Sequence, residues 1–217
     1  MLREWIDIIH LFLKKGYTVL HENINGERIK HVWCSYVLFL FVSIIMVYLL
    51  PKGFSQSFLD YATGICSIFV GFFITVLVFV DDKLVLRKKP TKEEENTKPA
   101  DQRLTEIQKI KITQEYNYTI RFFYTLGMNI LFSAIVLMAL LPNVLWVDIF
   151  SLDLSKITII SSLSQLSWNS FLLGIYFWSM VMYRIIVLYF LLKIFFYTTY
   201  ATSSLVSVLI LKREEQS

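Results

Sequence analysis

Uncharged apolar runs near twenty residues long constrain this chain more than any other feature. Val32–Leu50 holds 19 residues with no charged side chain, and Phe122–Leu141 holds 20. Ser57–Val80 holds 24, with Asp60 near its start as the one charge. A fourth apolar stretch begins near Trp168 and carries Arg184 and Lys193. Twenty helical residues cover ~30 Å, the thickness of a bilayer's hydrocarbon core. Helices are the form such runs take, because a lone strand leaves its backbone polar groups unsatisfied in lipid. The composition agrees, at 56% hydrophobic and 18% charged residues with a mean hydropathy of +0.57. A soluble domain carries roughly 45–50% and 25%. An ordinary soluble enzyme domain, a disordered chain and a disulfide scaffold are thereby excluded. The expectation is an all-α integral membrane protein with four transmembrane helices and cytoplasmic helical extensions.

Basic residues outside the runs give the orientation. Counts of Lys plus Arg are five in residues 1–31, one (Lys52) in the first short loop and ten in 81–121. One more, Lys156, falls in 142–167, and Lys212 and Arg213 lie in the tail. This alternation follows the positive-inside rule. It predicts a multi-pass protein of the bacterial inner (plasma) membrane, with both termini and the 81–121 loop in the cytoplasm. Glu4 and Asp7 interrupt the start, so no cleavable signal peptide is expected and the first run acts as an uncleaved anchor. The resulting organisation is 1–31 cytoplasmic, 32–80 two membrane helices, 81–121 a cytoplasmic loop, 122–196 two more helices with an outer loop, and 197–217 a cytoplasmic tail.

Within the lead, Arg3, Asp7, His10 and Lys14 share one face of an amphipathic helix over 1–15, and Leu2, Trp5, Ile6, Ile9, Phe12 and Leu13 share the other. Such a helix lies on the inner leaflet with Trp5 and Phe12 dipped into it, or packs on other cytoplasmic segments. Gly16 reads as its C-cap. Tyr17–Ile24 and Glu27–Val32 flank Asn25-Gly26, the pattern of a short β-hairpin. In the central loop, Arg87, Lys88 and Lys89 read as a lipid-headgroup cluster or a simple topology determinant. Glu93–Glu95 between prolines reads as a linker. Asp101 is a candidate N-cap for a helix running into the third crossing, with a strand near 110–113 as the alternative. From Trp168 to Lys212 there is one Gly and no Pro. One helix there would be ~67 Å long, either projecting into the cytoplasm against copies of itself or bending onto the membrane. A fifth crossing is a third arrangement, set against the basic-residue count.

Chemistry is sparsely marked. His10, His21 and His31 are spaced 11 and 10 apart, which fits no helical metal pair. Nucleophile-elbow, Walker and H-E-x-x-H motifs are missing. No catalytic residue, metal or cofactor is therefore expected, and the chain is not read as an enzyme. The loop's ten basic residues face eight acids, so no direct nucleic-acid contact is expected. Cys34 and Cys66 lie at different depths and are read as unpaired. Asp60 is read as solvated at the outer surface, with an acidic pore ring as the sharper alternative.

Two constellations stand out. Gly64, Ser67, Gly71 and Thr75 recur at steps of three, four and four, a small-residue seam for close helix approach either within the chain or between copies. Ser170 and Gly174 make a second such step. At the inner boundary, Asp81 and Asp82 end the second run, where a helix terminus already carries partial negative charge. Arg184, ~24 Å from Trp168 along a helix, is the first cation expected to pair with them, and Arg121 the second. The alternative leaves the acids in water and Arg184 on lipid phosphate.

The layout resembles one group of bacterial membrane proteins. The lead Met1–His31 with Trp5 and Asn25-Gly26, the exit of the second run (Phe72–Leu84, FFITVLVFVDDKL) and the long fourth helix are similar to the KwaA family, the membrane components of the two-component Kiwa anti-phage defence system. The resemblance covers the whole chain in architecture and size and carries over no catalytic residue. It implies an inner-membrane homo-oligomer, a tetramer among its arrangements, which binds a cytosolic effector, KwaB. Such a protein helps detect infection at the envelope and relays it to that partner. The 81–121 loop, the lead and the tail beyond Lys193 are the expected docking surface. A small oligomeric channel or pore-forming effector is the competing reading.

Overall fold

A computed structural model describes residues 2–22, 32–83, 105–145 and 168–216. Among them are five helices and no strand: α1 (Leu2–His21), α2 (Val32–Leu49), α3 (Gln56–Lys83), α4 (Glu106–Leu145) and α5 (Trp168–Gln216). Three contain segments long and apolar enough to cross a membrane: Gln56–Val76, Glu106–Pro142 and Phe171–Arg213. The first expected crossing corresponds to α2, whose apolar stretch Trp33–Leu49 is shorter. That helix is apolar all round, with Val37, Leu38, Phe41, Ile44 and Ile45 exposed. Such a helix suits lipid rather than water.

Helix boundaries follow local chemistry that only partly matched expectation. α4 begins with a reciprocal capping box: the Thr105 N–H donates to Gln108 Oε1 at 3.0 Å, and the Gln108 N–H donates to Thr105 Oγ1 at 3.4 Å. The cap is thus Thr105 rather than Asp101, which lies outside the described residues. Residues 110–113 are helical, which corrects the alternative strand. The helix continues without a break for 40 residues and takes Pro142 into its end.

α1 overruns its expected stop. Gly16 does not cap it but is buried, and a Cβ there would meet Met128 and Tyr124 at 3.5 Å. The glycine serves close helix approach, so the chain continues helical through His21. Thr18 Oγ1 donates to the Lys14 carbonyl at 2.9 Å and Leu20 is buried. Tyr17–His21 are therefore the last turn of α1, which corrects the strand expected there: packing outweighs the β preference of Tyr17, Thr18 and Val19. Asn25 and Gly26, the expected hairpin turn, lie outside the described residues.

α5 is a single helix of 49 residues, ~74 Å along its axis at 1.5 Å per residue. It contains no turn of the kind a fifth crossing needs.

The chain divides into two compact units. One consists of Met1–Lys30, Phe73–Asn129 and Phe196–Ser217. Its core gathers Leu20, Phe122, Leu126, Met128, Tyr197, Ala201 and Val208. Here α1 packs on α4: the Phe12 and Tyr124 rings lie 5.2 Å apart, and Phe12 fills the space a Cβ on Gly127 would occupy. The other unit consists of His31–Phe72 and Ile130–Phe195. Val47, Leu59, Cys66, Val136, Leu140, Val187 and Ile194 make its core. Phe132 packs on Phe190 at 5.4 Å, and Phe69 meets Phe195 edge-on at 6.5 Å.

Candidate functional site

The two arginines expected at the inner boundary both end on backbone carbonyls. Arg184 is 1% exposed. Its Nη1 donates to the Pro51 carbonyl at 3.2 Å, two residues past the end of α2. The turn itself closes through the Leu50 N–H to Met46 carbonyl bond (3.0 Å) and the Gly53 N–H to Leu50 carbonyl bond (3.1 Å). Gly53 has a φ of 84°, and a Cβ there would lie 2.5 Å from Arg184 Nη2. Only glycine combines that backbone with that neighbour. Spacing puts Arg184 near the exit of α3; in the structure it instead holds the turn that precedes α3. Side chains of Asp81 and Asp82 lie outside the described residues.

Arg121 does the equivalent work for α1. It is buried, and its Nη2 donates to the Glu22 carbonyl, one residue past that helix. Its guanidinium stacks 5.5 Å from the centre of the Tyr200 ring. The physical reason for both contacts is the same. A helix C-terminus leaves carbonyls without intrahelical donors and carries partial negative charge, so a guanidinium there satisfies both needs. A charge-assisted hydrogen bond of this kind is worth about 1.5–3 kcal/mol.

The small-residue seam lies on the open side of α3. Leu59, Ala62, Cys66 and Phe73 are buried on one side of the helix, whereas Gly64, Ser67, Gly71 and Thr75 are exposed on the other. Among the described residues, nothing beyond the helix's own backbone and the adjoining residues would lie within 4 Å of a Cβ on Gly64, Gly71 or Gly174. The Ser170 side chain lies outside the described residues.

Asp60 is exposed and accepts a hydrogen bond from the Gln56 side-chain amide at 3.1 Å. Cys34 is exposed, Cys66 is buried, and both are free thiols. Arg87, Lys88 and Lys89 lie outside the described residues. Among those described, no three His, Cys, Asp or Glu side chains are grouped to hold a metal ion.

Three features went unread in the sequence. Lys193 projects its ammonium among three rings, 4.5 Å from the centre of Tyr36, 4.6 Å from Tyr189 and 5.3 Å from Phe132. Only Tyr189, one turn earlier on the same helix, was visible as a neighbour from spacing. Lys212 pairs with the nearly buried Glu115 at 3.4 Å, joining α5 to α4. Buried Asn129 donates to Thr198 Oγ1 at 3.2 Å, also between α4 and α5. Comparison with protein-family models, curated proteins and solved structures gives no match to this chain.

Proposed function

We propose that this chain is a membrane-embedded sensor and scaffold of a Kiwa-type anti-phage defence system, without catalysis of its own. In this reading α2, α3 and the apolar parts of α4 and α5 cross the inner membrane, four crossings in all, with both termini in the cytoplasm. Copies associate along Gly64, Ser67 and Gly71, the exposed small-residue side of α3. A cytosolic effector resembling KwaB docks on the cytoplasmic segments.

Helix continuity carries the proposal. Crossing a bilayer takes about 20 residues, whereas α4 has 40 and α5 has 49. Each runs unbroken from an apolar segment into one bearing charges: Lys109, Lys111 and Glu115 on α4, Lys212 and Arg213 on α5. The Glu115–Lys212 pair and the Asn129–Thr198 bond tie these two helices side by side. A displacement of either helix within the membrane is therefore carried to charged surface outside it. That suits relay to a soluble partner, and it asks for no reacting group.

The decisive experiment co-expresses this chain with a KwaB-type cytosolic protein. Cells carrying both should resist phage, cells carrying either alone should not, and the tagged membrane protein should capture the partner from detergent extract. Protection by this chain alone, accompanied by loss of membrane potential, would instead establish the channel reading.

A further inference from the structure

An open apolar groove of about 440 Å³ runs between the end of α2 and α5. Ile44, Val47, Tyr48 and Pro51 line one wall, and Trp178 and Val181 belong to the other. Two of its edges are marked: Tyr48 is 84% exposed and Trp178 65% exposed. Exposed Tyr and Trp together on a membrane helix mark the headgroup level, where an apolar ring meets a wet rim. The exposed Lys52 follows the lining residue Pro51 directly in the chain, and the buried Arg184 guanidinium donates to the Pro51 carbonyl. Asp60 is occupied by the Gln56 amide.

We infer that this groove binds one anionic phospholipid from the leaflet on the side of the Pro51–Ser55 turn. An acyl chain lies along Ile44, Val47 and Val181, and the phosphate sits at Lys52. Each part of the site selects for a part of that ligand. The walls named carry no charge and present aliphatic and aromatic carbon, which rewards a methylene chain. The volume matches one chain: a group of water's size occupies roughly 30 Å³, so the groove of about 440 Å³ takes about fifteen carbons. The cationic rim at the belt level supplies complementarity to phosphate and repels a choline headgroup. Arg184 keeps the rim in place by fixing Pro51, so the phosphate site is preformed rather than assembled by the lipid. The inference rests on the membrane crossing proposed above and is independent of the role in defence.

Trp178 is a built-in reporter. The full chain carrying Trp5→Phe, Trp33→Phe, Trp146→Phe and Trp168→Phe is reconstituted in phosphatidylcholine vesicles containing a small fraction of phospholipid with brominated chains, which quench tryptophan on contact. Brominated phosphatidylglycerol should bind with a roughly fivefold preference over brominated phosphatidylcholine, the worth of one basic residue at a membrane surface. Lys52→Glu should remove that preference while the protein still floats with the vesicles. Val47→Phe together with Val181→Phe should fill the groove and lower quenching by both lipids. Brominated free fatty acid should not displace the phospholipid. Equal quenching by the two phospholipids, or an undiminished preference in Lys52→Glu, overturns the inference. So does a Trp178 shielded from every brominated lipid while Val47→Cys crosslinks two copies, since a second chain would then fill the groove. A chain that fails to float with vesicles overturns the membrane reading and this inference together, whereas equal quenching in a floating chain overturns this inference alone.

Discussion

Arg121 and Arg184 are the most deeply buried cations described, and each is turned toward the carbonyl end of a helix other than its own. Burying a guanidinium without such partners would cost several kcal/mol, so these contacts are what make the positions tolerable. Spacing alone gave no access to them, because a backbone carbonyl carries no residue letter; acids were the only partners visible in the chain of letters. A close contact in the unit that holds Arg121 can be tested directly. The end of the Phe12 ring fills the space that a Cβ on Gly127 would need, which leaves no room for a side chain. Gly127→Leu should therefore push α1 off α4 and lower stability by about 1–3 kcal/mol, the usual range for overpacking. Thermal unfolding in detergent measures the loss, and limited proteolysis measures the release of residues 2–21. Adding Phe12→Ala should restore α1 docking in part, and no rescue at all would mean that Phe12 is not what fills the site.

At the level of elements, α3 has two sides with different fates. One is buried through Leu59, Ala62, Cys66 and Phe73, and the other presents glycine to open space. Among the described residues nothing meets a Cβ on Gly64, so Gly64→Leu should leave the monomer's yield and unfolding temperature unchanged. If copies approach along this side, the same substitution separates them. Native mass spectrometry should then show monomers where the unmodified chain gives oligomers; an unaltered oligomer would move the seam elsewhere. Helix existence was legible from the letters because the length and spacing of apolar residues act locally. Helix ends were less so. Gly16 has the letter of a cap but the role of a close contact, and that difference is created by Met128 and Tyr124, more than a hundred residues away. The Thr105–Gln108 capping box was legible in principle as T-x-x-Q, while Asp101 drew the reading four residues early. The Lys193 cage and the Glu115–Lys212 pair depend on residues brought together by folding and leave almost no local trace.

For the whole molecule, the number of crossings decides what every surface means. Gln56–Val76, Glu106–Pro142 and Phe171–Arg213 have the length and apolarity to cross, and α2 is the helix on which the count turns. Its 18 residues reach ~27 Å against a core of ~30 Å. A shortfall of roughly 3 Å is met by local thinning of the bilayer at fractions of a kcal/mol per ångström, a small term beside the burial of an uncharged helix in lipid. The basic residues argue the same way: five before α2 and ten in 81–121, with only Lys52 between α2 and α3. If α2 crosses, the two termini share a side; if it does not, they are on opposite sides. The unbroken α5 holds one crossing and no turn for another. A reporter active only in the cytoplasm should therefore be active when fused ahead of Met1 and after Ser217, and silent when inserted at Asp153. Activity at Ser217 with silence at Met1 would reduce the crossings to three and remove the lead from the docking surface. Activity at Asp153 with silence at both termini would invert the molecule, put the Lys52 groove in the inner leaflet, and leave Lys212 and Glu115 on the side a cytosolic effector cannot reach.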